Sequence, residues 1–209
     1  MRTFKTLLAT AAAAVLLSAS AHAQVTLKAS HQFPGGKGDV RDDMVQMIAK
    51  EAKAANVGLD IQVYPGASLF KPNDQWNAMV NGQLDITLFP LDYASGKVPV
   101  FSATLMPGLI RSQERAKRIN DSQFMKDIHA EIEKRGAIVL SDAWFAGGLA
   151  SNKGCLVHPS DLKGMKLRAA GPTFAAMWQA AGASIVTPPS NELYNAFQSG
   201  VINGTDTSL

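Results

Sequence analysis

Short stretches in which apolar and polar residues alternate are each followed by a stretch of helical periodicity, and this order restricts the fold more than any other feature of the chain. Residues 25–30 alternate, with Val25, Leu27 and Ala29 on one side, and run into a glycine and proline loop at 34–38. A helix is predicted next. Asp39 stands at its N-cap, Asp42 and Asp43 lie in the first turn where the helix dipole favours acids, and Val40, Met44, Met47 and Ile48 share a face. Gly58 marks its stop, and residues 59–64 alternate again before closing on Pro65-Gly66. The pattern then predicts a short helix over 73–81 and a third strand over 84–89. The longest helix is predicted over 112–135, with Ile119, Phe124, Ile128 and Ile132 apolar and Gly136 ending it. Residues 137–144 are apolar nearly throughout, as in a mid-sheet strand covered on both faces.

Gly147-Gly148 breaks the pattern. Beyond it the predicted strands are shorter, over 149–151, 165–169 and 184–187, with helices over 172–181 and 191–199. Pro172 at a helix start and Gly182 just past its end follow the usual asymmetry. The expected architecture is therefore α/β in two lobes, residues 24–145 and 146–209. Sheets of this kind bind ligands at the carboxyl ends of their strands, which gives a place and not a function.

Residues 1–23 read as a signal peptide: Arg2 and Lys5 precede an apolar run from Leu7 through Leu17, and Ala21-His22-Ala23 is a small-x-small cleavage pattern. The run is about half the ~20 residues that span a bilayer, so export to the periplasm is expected rather than anchoring, and no later segment reads as membrane-spanning. Cleavage before Gln24 leaves 186 residues and lowers the basic count from 20 to 18 against 17 acids, a net charge of +1. No basic field for nucleic acid remains. With Cys155 as the only cysteine, core burial and not a disulfide must supply stability. Patterning runs on to Leu209 without a terminating helix or polar tail, so a C-terminal part of the fold is expected to be missing.

No Walker loop, G-x-G-x-x-G, G-x-S-x-G or H-E-x-x-H motif is present, and His31, His129 and His158 lack ligand-like spacing. Neither catalysis nor a metal or cofactor is expected. Arg168 ends a predicted strand directly before Ala169-Ala170-Gly171-Pro172. From there its planar guanidinium can enter a cleft and hold both oxygens of a carboxylate, or lie on the surface beside an acid. Phe33, Phe89 and Trp144 follow or end predicted strands, as walls of a cleft or as core. The basic stretch from Arg111 to Arg118 is interspersed with acids and reads as a solvated face.

The segment Asp161-Leu162-Lys163-Gly164-Met165-Lys166-Leu167-Arg168, followed by residues 191–204 from Asn191-Glu192-Leu193-Tyr194 to Val201-Ile202-Asn203-Gly204, resembles the paired signature segments of the periplasmic solute-binding subunits of TRAP transporters, the DctP-type family. Ala29-Ser30-His31, Val63-Tyr64-Pro65-Gly66, Asn81-Gly82-Gln83-Leu84-Asp85 and Leu105-Met106-Pro107-Gly108 agree in order with that family. The resemblance covers residues 24–209. It implies a type II-like, two-lobed periplasmic binding protein that closes over a small organic acid and delivers it to an integral membrane permease. Arg168 matches the arginine that grips the carboxylate, and Asn191 and Asn203, inside the second signature, join the expected ligand-binding set. Family members continue well past the position of Leu209, and their usual Asp-Gly is Asn203-Gly204 here. Gly148 and Gly200 stand where sialic-acid-type members carry an arginine and an asparagine, which argues against sialic acid. A ligand-sensing receptor module of the same fold, a hydrolase or isomerase on a similar cleft, and a non-functional truncated fragment are the competing readings.

Overall fold

The computed structural model describes residues 24–208, so the signal-peptide reading of residues 1–23 lies outside the described residues. Strand β1 (Val25–His31) is the centre of a three-stranded parallel sheet, flanked by β2 (Leu59–Tyr64) and β3 (Ile86–Leu88). Six consecutive pairs from Val25↔Leu59 to Ser30↔Tyr64 hold β1 to β2, and Ala29↔Ile86 to His31↔Leu88 hold it to β3. Between β1 and β2 the chain crosses over through α1 (Val40–Ala54), the connection a parallel pair requires. Asp39 caps α1 as its sequence position predicts, with its carboxylate accepting from the Arg41 N–H at 3.0 Å.

The buried face of α1 differs from the expected one. Asp42 and Val45 are buried, whereas Val40 and Met47 are each 56% exposed. A polar residue turns the helix inward: Asp42 accepts from the Gly36 N–H at 2.9 Å and from Gln46 at 3.2 Å, and lies 3.1 Å from His31 Nε2. These bonds satisfy a carboxylate that burial would otherwise leave costly.

A 3-10 turn (Pro72–Asp74) leads into α2 (Gln75–Val80), and two further 3-10 stretches, Leu91–Ala94 and Pro99–Leu105, follow β3. The single long helix expected over 112–135 is two, α3 (Gln113–Asn120) and α4 (Gln123–Glu133). Ser122 is the reason: its extended backbone leaves the helix, and its hydroxyl accepts from the Met125 N–H at 3.4 Å to start another. Trp76, Phe101, Ile128 and Ile132 pack as one core, with Trp76 and Phe101 edge to face at 5.2 Å between ring centres.

The strand expected over 137–144 is not formed. Ala137 and Val139 pack into that core, while Ile138 and Leu140 are 69% and 64% exposed. A strand is defined by a partner's hydrogen bonds, and no described strand pairs with this extended segment.

The second sheet contains β4 (Gly147–Ser151), β5 (Lys166–Arg168), β6 (Ser184–Val186) and β7 (Gly204–Ser208), in the order β4-β7-β5-β6. β7 is parallel to β5 and antiparallel to β4. Helices α5 (Pro172–Ala180) and α6 (Leu193–Gln198) complete this part, and Leu162, Met165, Leu167, Ala169 and Trp178 form its core. Among the described residues, no helix is long and apolar enough to cross a membrane.

Candidate ligand-binding cleft

A cavity of about 500 Å³ opens where the two sheets face each other. It is reached by residues at or just past the carboxyl ends of β1, β3, β5 and β7, the place where α/β sheets hold ligands. Arg168, the last residue of β5, is 2% exposed. Its guanidinium donates through Nε to the Pro188 carbonyl at 2.9 Å, through Nη1 to the Asp206 carbonyl at 2.9 Å, and through Nη2 to Tyr93 Oη at 2.9 Å. A guanidinium has five N–H donors, so one remains on each terminal nitrogen. The side chain is thereby fixed in orientation while retaining two donors suited to a carboxylate.

Tyr93 reaches Arg168 from the 3-10 turn after β3. Its hydroxyl also accepts from the Ser190 N–H at 3.0 Å and lies 3.5 Å from Gln32 Nε2. Beside it, Asp92 is buried, and neither carboxylate oxygen has a hydrogen-bond partner. Burial pushes its carboxyl above the ordinary carboxylate range, with the charge of Asp206 adding to the effect and that of Arg168 opposing it. The Asp206 carboxyl is also pushed up by burial, against the pull of Arg168 and the Ala170 N–H. That N–H donates to the two Asp206 oxygens at 3.2 and 3.1 Å. Asp92 lies so close to Gly171 that a β-carbon there would fall 1.3 Å from Asp92 Oδ2.

Aromatic side chains form much of the remaining wall. Phe33 is 7% exposed, stacks near His31 at 5.9 Å, and carries the Arg41 guanidinium 4.2 Å above its ring centre. Phe89 lies edge to face with Tyr93 at 6.1 Å and also packs on the Trp76 core, so it serves both roles weighed for it. Trp144 is half-buried and donates from its indole to Asn120 Oδ1 at 2.6 Å.

Of the six expected ligand-binding residues, Arg168, Trp144, Phe33 and Phe89 come together on this cavity, and Asn191 and Asn203 do not line it. Asn191 is exposed on the 3-10 turn Ser190–Glu192, where its neighbour Ser190 faces the cavity instead. Asn203 ties the far ends of two strands, accepting from the Lys166 N–H at 3.1 Å and donating its own N–H to the Lys166 carbonyl at 2.7 Å. Its side chain is thus used in the sheet at Lys166, which stands two residues before Arg168 at the other end of β5. Sequence reasoning missed Tyr93, Asp206 and Arg41. Tyr93 follows a strand end, which was available as a signal, whereas Arg41 sits in a helix first turn that the dipole makes unfavourable for a cation.

Two sheets meeting across a cleft, with a buried and tethered arginine at one strand end, define a two-lobed protein of the α/β class. The chain belongs to the family described as bacterial extracellular solute-binding protein, family 7, whose profile matches residues 36–209. It is 40% identical over 186 residues to a solute-binding protein of Albidiferax ferrireducens, an alignment covering 87% of this chain and 55% of that one. It is 26% identical over 190 residues to the C4-dicarboxylate-binding periplasmic protein DctP of Rhodobacter capsulatus, covering 87% of this chain and 55% of the other. Among solved structures it is similar to a TRAP periplasmic solute binding protein from Rhodoferax ferrireducens with bound malonate. That match has a TM-score of 0.84 at 40% identity, covering 87% of this chain and 59% of that one. The chain thus spans somewhat more than half the length of these relatives.

Proposed function

We propose that the protein captures a small organic acid in the periplasm and presents it to the membrane permease of a TRAP-type transport system, binding its ligand without transforming it. The observation that carries this reading is Arg168: a residue 2% exposed, its guanidinium held by three partners, on the wall of a cavity of about 500 Å³. A buried cation with unused donors favours an anion, whose negative charge and paired oxygens match the planar fork. Relatives support the ligand class, since one was solved with malonate and another is named for C4-dicarboxylates. In this reading residues 24–145 and 146–209 form the two lobes, and ligand favours their closed arrangement by touching both. Export by the signal at residues 1–23 brings the protein to the periplasm.

The test is a thermal-shift screen of the full chain against organic acids, followed by calorimetric titration of each acid that raises Tm. A ligand at 100 times its Kd adds about 2.7 kcal/mol of stability, a shift of several degrees. Arg168→Lys keeps the charge but loses the planar fork, and its Kd for the acid is expected to rise about 10-fold or more. No acid shifting Tm, or an unchanged Kd in Arg168→Lys, would contradict the proposal.

A further inference from the structure

We infer that the buried carboxyls of Asp92 and Asp206 form a proton-binding site beside Arg168, and that capture of an acid anion in the cleft is accompanied by uptake of a proton there. This rests on the reading of Arg168 given above.

Asp92 comes from the first sheet's side of the cleft and Asp206 from the second, and they meet adjacent residues of one loop. Asp92, in the 3-10 turn Leu91–Ala94, lies so close to Gly171 that a β-carbon there would overlap it. Asp206, on β7, accepts at both oxygens from the N–H of Ala170, the residue before Gly171. The two residues are 4% and 5% exposed. Arg168 is the cation facing both, yet its bonds go to the Pro188 and Asp206 carbonyls and to Tyr93 Oη. Among the described residues, neither carboxylate stands in an ion pair. The other side chains facing the pair are uncharged: Ser95 and Ser102 beside Asp92, and Trp178 of α5 beside Asp206.

Two buried carboxylates opposed by a single guanidinium leave an excess of negative charge, and a buried charge without a close partner is costly. A proton on one of them removes the excess. Asp92 is its holder, because neither of its oxygens has a hydrogen-bond partner, whereas the Ala170 N–H favours the charged form of Asp206. Burial raises both carboxyls above their ordinary value of 3.8. Asp206 and Arg168 line the cavity, so an anion held by Arg168 brings further negative charge to the pair and raises Asp92 again. Linkage then fixes the sign. Affinity for the anion is greatest below the Asp92 pKa of the free protein and falls as pH rises through that of the complex, by at most about 10-fold per pH unit for one proton. The proton comes from solvent, forms an O–H bond on Asp92, and returns to solvent when the acid leaves.

Calorimetric titration of the full chain with malonate, succinate and propionate decides the matter. Each titration is run at pH 6 in two buffers of different ionisation enthalpy, which counts the protons exchanged once the acid's own ionisation is subtracted. Net uptake is expected, and the Kd so corrected should rise at least about 3-fold from pH 5 to pH 8. Asp92→Asn keeps the shape of the protonated carboxyl, so in this variant the uptake should fall by at least half and the dependence of Kd on pH should flatten. An acid that binds with no net uptake, or uptake undiminished in a folded Asp92→Asn, overturns the proton site while leaving Arg168 standing. Where that variant fails to fold, Asp206→Asn takes its place: it removes the neighbouring charge, so undiminished uptake there overturns the inference equally. Binding of none of the three acids at any pH overturns the reading of Arg168 as well.

Discussion

Tyr93 Oη accepts a hydrogen bond from Arg168 Nη2 at 2.9 Å, joining the turn after β3 in the first sheet to the end of β5 in the second. The same oxygen accepts from the Ser190 N–H at 3.0 Å, so one hydroxyl serves two donors contributed by the second part of the chain. Tyr93→Phe keeps the ring and its edge-to-face contact with Phe89 while removing that acceptor. Leaving buried donors unpaired costs about 1–3 kcal/mol. The expected outcome is a loss of that order in urea unfolding, together with weaker binding of the acid as Arg168 loses a fixing partner. Unchanged values in both measurements would remove Tyr93 from the site.

Gly171 makes a sharper packing prediction. A methyl group there would overlap Asp92 Oδ2, with the ideal β-carbon only 1.3 Å from it, so Gly171→Ala must push the Leu91–Ala94 turn away from the start of α5. Overpacking of this kind costs roughly 1–3 kcal/mol. Asp92→Ala should relieve it, and the double variant is expected to be more stable than Gly171→Ala alone. Denaturation of the four members of this cycle measures the coupling, and strict additivity would show that the two residues do not meet.

The buried Asp92 carboxyl makes a pH prediction whose sign follows from linkage. Its folded-state pKa is raised by burial, so above its ordinary value of 3.8 the folded state holds a proton that the unfolded state has released. Stability from this group is complete below the ordinary carboxylate range and is lost as pH rises through the raised value. Asp92→Asn removes the ionisation and should be relatively more stabilised at pH 7 than at pH 4. Asp206 is raised in the same direction and remains in both proteins, so the measurement is the difference between their stability profiles. Parallel profiles from pH 4 to 7 would contradict the assignment.

Trp144 tests the wall of the cleft. The indole lines the cavity and bonds to Asn120, but its residue is only half-buried. Trp144→Ala is therefore expected to weaken acid binding by more than it weakens folding, when titration and chemical denaturation are compared on the same variant. A large stability loss with normal affinity in the folded fraction would assign the ring to the core.

Local features of the chain were legible wherever a residue acts on its own backbone. The alternation marking β1 and β2, the Asp39 cap, and the Pro172 start and Gly182 end of α5 can each be read from residues a few positions apart, although the two strands form only by pairing with each other. Arg168 could be singled out because it combines a strand end with the signature segment around it. The tertiary structure decided the rest, because those outcomes depend on partners far along the chain. Residues 137–144 have strand-like composition but no described strand pairs with them, and a ladder needs two members. The buried face of α1 follows the bonds of Asp42 to His31 and Gly36, not the count of apolar side chains. Asn203 was drawn into the sheet by Lys166, 37 residues earlier. Tyr93 and Arg41 join the cleft only because folding brings Arg168 and Ser208 to them from 75 and 167 residues away, a juxtaposition no local periodicity encodes.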